Sequence, residues 1–405
     1  MKETPVLLLT GYLGSGKTTL VNRILANKKG IKFAVIVNDI GEVNIDGSLI
    51  AKEGVVSQKD ASLVPLQNGC ICCTLKMDLV EQLHDITSSG KFDYIVIEAS
   101  GICEPEPIAR TICSIPMMPE YRQDGCPRLD CVCTVVDALR MRDEFACAKD
   151  LLRGNIGEED IENLVIQQIE FCNLVLLNKA SEIRADELGK IKEIVRALQP
   201  KATILTCDWG EIELEKLLNT GLFDYDEVSA SAAWITEVES GADLHEDDDE
   251  DEHDEDGEHG HHEEHGHHHH HHHEGEGEVE EYGIGTYVYF ARKPFDINKF
   301  DNFIVKRWPA GIIRVKGLCW FDDQPDKCYI FEQAGKQISL KNIGQWYATM
   351  PEDELQQQMI ADATLRRDWD DTYGDRMQKL VFIGQHLDKA EIRKSLDFCL
   401  TEMQG

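Results

Sequence analysis

Three clusters in this chain have residue types and spacings that could do chemistry. One is Gly11-Tyr-Leu-Gly14-Ser15-Gly16-Lys17-Thr18, followed by Thr19, which fits G-x-x-x-x-G-K-[ST]. Glycines let a loop curl so that successive N–H groups face an anion, and a following helix N-terminus adds its positive end. Lys17 would then meet the β- and γ-phosphates of a nucleoside triphosphate, and the Thr18 hydroxyl would hold Mg2+. Another is Asn68-Gly-Cys70-Ile-Cys72-Cys73-Thr74. Three thiols just ahead of a helix can converge on one soft metal, because a helix N-terminus favours the thiolate. Three sulfurs leave one position of a tetrahedral Zn2+ open, and Co2+, Ni2+ or Cu(I) would also suit the donors. Buried structural cysteines are the plain alternative. The remaining cluster holds thirteen histidines between positions 245 and 273, seven of them consecutive and beginning His267, His268, His269, His270. Neutral imidazoles beside carboxylates collect transition metals with little selectivity. The tract reads as a low-affinity metal antenna, against a merely solvating linker.

Two strand ends complete the nucleotide chemistry. Ile95-Val-Ile-Glu98-Ala-Ser-Gly101 delivers a carboxylate where a P-loop sheet presents its ligand. Glu98 can hold Mg2+ through water or orient the attacking water, and the Gly101 N–H can meet the γ-phosphate. Leu176-Leu-Asn178-Lys179-Ala-Ser181-Glu182 resembles the Asn-Lys-x-Asp turn that reads guanine. An Asp there accepts from both N1–H and N2–H2 of the base. Ser181 occupies that place with a neutral hydroxyl, which weakens guanine selectivity unless Glu182 substitutes; guanine stays the favoured base. Cys103, Cys113, Cys126, Cys131 and Cys133 form a looser group, read as packed thiols in preference to an auxiliary metal site.

These residues must be positioned by an α/β sheet. Apolar runs at 5–10, 32–38, 92–98, 130–136, 173–177 and 202–206 read as strands. Helical patterns near 17–28, 75–89, 104–114, 158–170, 182–198 and 211–218 separate them. Strands apolar throughout and alternating with helices imply a mostly parallel sheet covered on both faces, a P-loop NTPase domain over 1–222. The long connection at 39–69 is of the functional kind. A linker over 223–281 contains the His/Asp/Glu-rich tract, whose composition cannot bury a core and should be disordered. A smaller α/β (α+β) domain over 282–405 follows. It has strands near 287–291, 312–320, 327–332 and 380–383 and helices near 297–306 and 391–400.

The formal charge of −34 overstates the acidity of the folded parts. Nineteen of the 75 acidic residues lie between positions 243 and 281, with no Lys or Arg among them. No basic stripe is present, which argues against nucleic acid as a partner. No run approaches a membrane span and the first residues form no signal peptide, so the expected setting is cytoplasmic, with no membrane partner. The fourteen cysteines are then expected as reduced thiols, some of them metal ligands.

P-loop, Cys-x-Cys-Cys, Glu-x-x-Gly and Asn-Lys stand in one order, and in this the chain resembles the CobW-type metallochaperone GTPases, with their CobW/HypB/UreG-like nucleotide-binding domain. Val37-Asn-Asp39-Ile-Gly41-Glu42-Val-Asn-Ile-Asp46-Gly47 matches the family's switch segment. Arg314-Val-Lys316-Gly317 and Trp369-Asp-x-x-Tyr-Gly374-Asp375-Arg376 match its C-terminal domain. The resemblance implies a GTPase using GTP and Mg2+ that binds Zn2+, or else Co2+, at Cys70, Cys72 and Cys73. It implies nucleotide-gated transfer of that metal to a client metalloprotein or cofactor-biosynthesis enzyme. Asp39 and Glu42 become candidate switch ligands, and a nucleotide-dependent homodimer is compatible with it. The rival readings are a P-loop ATPase or kinase acting on a small molecule, and a His-rich metal store.

Overall fold

The computed structural model describes residues 3–26, 30–37, 63–65, 76–121, 125–146, 159–229, 282–335, 337–361, 363–367 and 369–401. Cys70, Cys72, Cys73, Asp39, Glu42 and the whole His-rich tract lie outside these residues.

The first sheet contains β1 (Glu3–Thr10), β2 (Phe33–Val37), β3 (Leu63–Pro65) and β4 (Tyr94–Glu98). It continues with β5 (Cys126–Asp137), β6 (Leu174–Asn178) and β7 (Thr203–Thr206). The order is β3-β2-β4-β1-β5-β6-β7, with every pair parallel. The expected all-apolar strands have a direct cause. Val6 and Leu8 enter one core cluster and Leu7 and Leu9 the other, so neither face of β1 is left for water. Helix α1 (Lys17–Leu25) covers the second face with Leu20, Val21 and Ile24, an i, i+1, i+4 stripe. Helices α2 (Lys76–Ser89), α3 (Pro105–Ser114), α5 (Glu159–Glu170) and α6 (Ala185–Leu198) cover the first face, and α4 (Ala138–Ala146) follows β5 directly.

The chain differs from the periodicity at 211–218, which forms only the 3-10 turn Leu214–Lys216. Leu217 and Leu218 are buried as a helix face would be. The chain is then turned by a buried carboxylate: Asp130 accepts from the N–H groups of Thr220 and Gly221 and from the Tyr94 hydroxyl at 2.6 Å. Asn219, at φ 53°, takes the left-handed corner that this anchoring requires. The packed chain runs on through α7 (Tyr225–Ser229), where Val228 is buried.

The second sheet is antiparallel, in the order β11-β10-β9-β12-β8. Its strands are β8 (Ile284–Ala291), β9 (Ile312–Cys319), β10 (Lys327–Ala334), β11 (Gln337–Gln345) and β12 (Gln378–Gln385). Helices α8 (Ile297–Lys306) and α11 (Lys389–Asp397) pack on one face through Phe300, Phe303, Ile392 and Leu396. Between β11 and β12 lie α9 (Glu352–Ala361) and α10 (Ala363–Arg367), which the sequence pattern did not reveal. No helix among the described residues is long and apolar enough to cross a membrane.

The two sheets share a core. Ile284, Ile313, Ala334 and Ile383 of the second join the cluster built by α5 and α6 of the first. A buried polar contact crosses there among the described residues. The Arg314 guanidinium donates twice to Glu170, Nε to Oε1 at 2.9 Å and Nη2 to Oε2 at 3.1 Å, with Arg314 1% exposed. A buried charge pair is held mainly by the cost of breaking it. We predict that Arg314→Met lowers unfolding free energy by ~3–5 kcal/mol, and that Arg314→Met combined with Glu170→Leu recovers most of the loss. Urea titration of wild type and the two variants measures both terms, and equal losses in single and double variants would refute the coupling.

Candidate active site

Phosphate-binding loops need backbone that most side chains forbid. Gly14 and Gly16 stand at φ 79° and 107°, and a Cβ on Gly16 would come within 2.3 Å of Asn178 Nδ2. The loop is closed by the Ser15 N–H donating to the Tyr12 carbonyl at 3.1 Å. Ser15 Oγ is buried and has no hydrogen-bond partner among the described residues, so a donor is left over inside the loop. Lys17 is folded back into the curl, its ammonium donating to the carbonyls of Gly11 at 2.7 Å and Tyr12 at 3.1 Å. At 7% exposure this cation is held within the curl of the loop, at the N-terminus of α1. The arrangement attracts an anion.

Glu98 ends β4, whose register sets it beside Leu9 of β1 and Val37 of β2. It is 3% exposed, and Oε1 accepts from the Thr18 hydroxyl at 2.8 Å. The hydroxyl expected to hold Mg2+ and the carboxylate expected to hold it through water are thus in contact. Three residues on, Gly101 lies against the loop so closely that a Cβ there would meet the Leu13 nitrogen at 2.7 Å. Thr19 follows Thr18 in α1, half-buried.

Asn178 is the joint between this half and the next. Its amide donates to the Ser15 carbonyl at 2.9 Å, while Oδ1 accepts from Gly210 N at 3.3 Å and from the Cys207 thiol at 3.4 Å. Burial pushes that thiol up to about 11, so it stays protonated and able to donate. Lys179 is left-handed at φ 61° and forms a salt bridge with Asp137 at the end of β5. Ser181 donates from N and Oγ to Asp208 Oδ1, at 3.0 and 2.9 Å.

The expected P-loop, Glu98, Gly101, Asn178 and Lys179 therefore converge at the carboxyl end of the sheet, where parallel α/β folds hold ligands. Sequence reasoning missed Asp137, Asp208 and Gln168. Gln168 donates from Nε2 to the carbonyls of Gly101 at 3.5 Å and Cys103 at 3.1 Å. Asp137 and Asp208 each come at or just after a strand's end, a signal that could have been used. The expected metal residues Asp39, Glu42, Cys70, Cys72, Cys73 and His267–His270 lie outside the described residues. The looser cysteine group is core. Cys103, Cys126, Cys131 and Cys133 are buried, and desolvation pushes Cys113 up to about 11 and Cys131 and Cys133 well above the usual thiol range. Such thiols resist becoming thiolate ligands.

Residues 5–206 match the CobW/HypB/UreG nucleotide-binding domain, and residues 284–400 the cobalamin synthesis protein cobW C-terminal domain. Zinc-regulated GTPase metalloprotein activator 1 of Dictyostelium discoideum is 32% identical over 98% of this chain and 80% of its own. Zinc chaperone YjiA of Escherichia coli is 26% identical over 97% and 98%. Zinc chaperone CobW of Pseudomonas aeruginosa is 32% identical over 54% and 60%. With both domain matches in the expected order around the site just described, the chain belongs to the CobW family of P-loop GTPases.

Proposed function

We propose that this chain hydrolyses GTP to control the capture and transfer of zinc, with Cys70, Cys72 and Cys73 holding the metal as cargo for a client metalloprotein or cofactor-biosynthesis enzyme. The observation that carries the reading is the register at the carboxyl end of the sheet. Val37 pairs with both Glu98 and Pro65, so β2, β3 and β4 end at one level. The chain leaves β2 there two residues before Asp39, and leaves β3 five residues before Cys70. Five residues reach at most ~17 Å. Any segment joining these strands starts beside the carboxylate that would face the γ-phosphate. The names of the zinc-chaperone relatives favour zinc over Co2+.

The residues fit Mg2+ and a triphosphate. A threonine hydroxyl has one proton and two lone pairs, so Thr18 can keep its hydrogen bond to Glu98 while offering a lone pair to a metal ion. Bound Mg2+ would neutralise charge developing on the phosphates. Lys17 would release the Gly11 and Tyr12 carbonyls for phosphate oxygens, exchanging neutral acceptors for charged ones. Glu98, two strands from the cysteine loop's departure, would orient the attacking water. Because the γ-phosphate and the cargo would bear on segments leaving adjacent strand ends, nucleotide and metal affinities become linked, and linkage is reciprocal. The 223–281 linker, past the packed helix α7, would then raise the local zinc concentration through His267, His268, His269, His270 and their neighbours. It would do so between a GTPase domain at 1–222 and a C-terminal domain at 282–405.

Two outcomes test this reading. Glu98→Gln should leave GTP affinity within about threefold and cut kcat by ~10²–10³, the scale of removing one preorganised electrostatic group; Lys17→Ala should lose binding itself. Steady-state hydrolysis together with nucleotide titration separates the two. Replacing Cys70, Cys72 and Cys73 with Ser should abolish the tight zinc site and erase the difference in zinc affinity between a GTP analogue and GDP. Deleting 243–281 should remove only weakly held ions. Competition titrations with a chromophoric chelator report both, and undiminished tight binding in the triple variant would overturn the cargo assignment.

A further inference from the structure

We propose that Asp208, delivered by the loop after β7, is the carboxylate that reads the guanine base, in place of the residue that Ser181 lacks. The proposal rests on GTP being the nucleotide. The turn after β6 has the Asn-Lys of a guanine-reading turn but presents a hydroxyl at the fourth position, and one neutral oxygen cannot supply the two charged acceptor oxygens that a carboxylate offers to N1–H and N2–H2. The structure brings a carboxylate to that hydroxyl. Asp208 Oδ1 lies 2.9 Å from Ser181 Oγ and 3.0 Å from Ser181 N. Both Ser181 groups are donors, so they hold the carboxylate without using up its acceptor capacity. Oδ2 has no partner among the described residues, and about half of the acceptor positions of the group stay open. Ser181 thus becomes the residue that orients the reader.

The loop is built to hold Asp208 there. Cys207 N donates to the Leu177 carbonyl at 2.9 Å, and Ala180 N to the Cys207 carbonyl at 3.2 Å, which stitches the two strand ends together. The segment from Asp208 to Glu211 closes on itself, Glu211 N donating to the Asp208 carbonyl at 2.9 Å. Its two central residues, Trp209 and Gly210, have φ of 53° and 65°, as a type I′ turn demands. A tryptophan rarely accepts that backbone, and here it is 67% exposed, so no packing of its own holds it. What holds the turn is Gly210 N donating to Asn178 Oδ1. The same Asn178 grips the phosphate loop through the Ser15 carbonyl. Base reader and phosphate cradle are therefore fixed to one side chain. Glu182, the other carboxylate of the Ser181 turn, makes no contact with either loop among the described residues, and its side chain is exposed.

The test is nucleotide preference in the full-length protein, titrating GTP, ATP and xanthosine triphosphate against wild type, Asp208→Asn and Glu182→Gln. Xanthine carries a carbonyl where guanine carries the 2-amino group, so an amide at 208 should accept it and reject guanine. Wild type should prefer GTP to both others. Asp208→Asn should weaken GTP by ~10²-fold or more and bind xanthosine triphosphate more tightly than GTP. Because Asn keeps an acceptor for Ser181, and because a gain of xanthine binding cannot come from misfolding, the variant controls for its own structure. Glu182→Gln should leave the three affinities in the wild-type ratio. Retained guanine preference in Asp208→Asn, or the preference switch appearing in Glu182→Gln, overturns the assignment to Asp208 while leaving GTP as the nucleotide. A wild type that binds ATP as tightly as GTP overturns the GTP reading itself, and with it this assignment.

Discussion

The site depends on the side chain of Asn178. It is 3% exposed and makes hydrogen bonds in both directions, donating to the phosphate loop and accepting from the loop after β7. A buried amide left unmatched costs on the order of 1–3 kcal/mol per group, so each loop is held in the geometry that satisfies it. Its closeness also dictates a residue elsewhere: Gly16 has no room for a Cβ because Asn178 Nδ2 fills that space. Two segments far apart in sequence are thereby set against one another before any ligand arrives. Preorganisation of this sort is what a phosphate site needs, since its binding energy would otherwise go into ordering the loop.

Helix α5 makes the corresponding joint toward the second sheet. Near its C-terminal end Gln168 donates to the carbonyls of Gly101 and Cys103, in the turn that follows Glu98. Two residues later Glu170 accepts the Arg314 guanidinium. The backbone of Gln168 is itself fixed, its carbonyl accepting from Thr134 Oγ1 at 2.7 Å. Thr134 Oγ1 in turn lies 2.8 Å from Thr10 Oγ1, at the end of the strand that feeds the phosphate loop. One turn of helix thus touches the turn beside the phosphate loop and the antiparallel sheet, by directed contacts that tolerate little sliding. The Arg314-Val-Lys316-Gly317 motif finds its reason here. Arg314 is the cross-sheet ion, and Lys316 pairs with Glu332 on the neighbouring strand at 2.7 Å. A lysine at 314 would lose the two-pronged match to a carboxylate.

What was legible in the sequence was what local pattern alone determines. The apolar strands of the first sheet and the P-loop could be read because burial on both faces, and a backbone needing glycine, leave few alternatives. The partition of Leu7 and Leu9 from Val6 and Leu8 follows from strand alternation. Less legible were features set by contacts distant in sequence. Leu214, Leu217 and Leu218 carry helical spacing, yet Asp130, some ninety residues earlier, captures the amides of Thr220 and Gly221 and ends the segment as a single turn. Helix α9 has no strong apolar stripe to announce it, because most of its residues face water. Asp208 was marked only by its place just after a strand's end, because its meaning, like that of Asp130, comes from a distant partner, here Ser181 on another strand end. The cysteines at 131 and 133 were open to two readings until their burial showed which environment they occupy.

The backbone shows where these long-range contacts prevail over local preference. Among the described residues four non-glycine side chains stand at positive φ: Lys179, Trp209, Asn219 and His386. Lys179 follows Asn178 directly, and Trp209 precedes the glycine that Asn178 binds. Asn219 precedes the pair of amides that Asp130 binds. Three of the four therefore flank a buried polar group that gathers backbone amides or carbonyls from separate loops. Each costs of the order of 1–3 kcal/mol and persists only where the surroundings over-determine it. A protein that carries two of these four strained residues at two adjoining loops has constrained the place where a nucleotide base would lie between them. That distribution is the reason to look for base recognition in the loop after β7 as well as in the turn after β6.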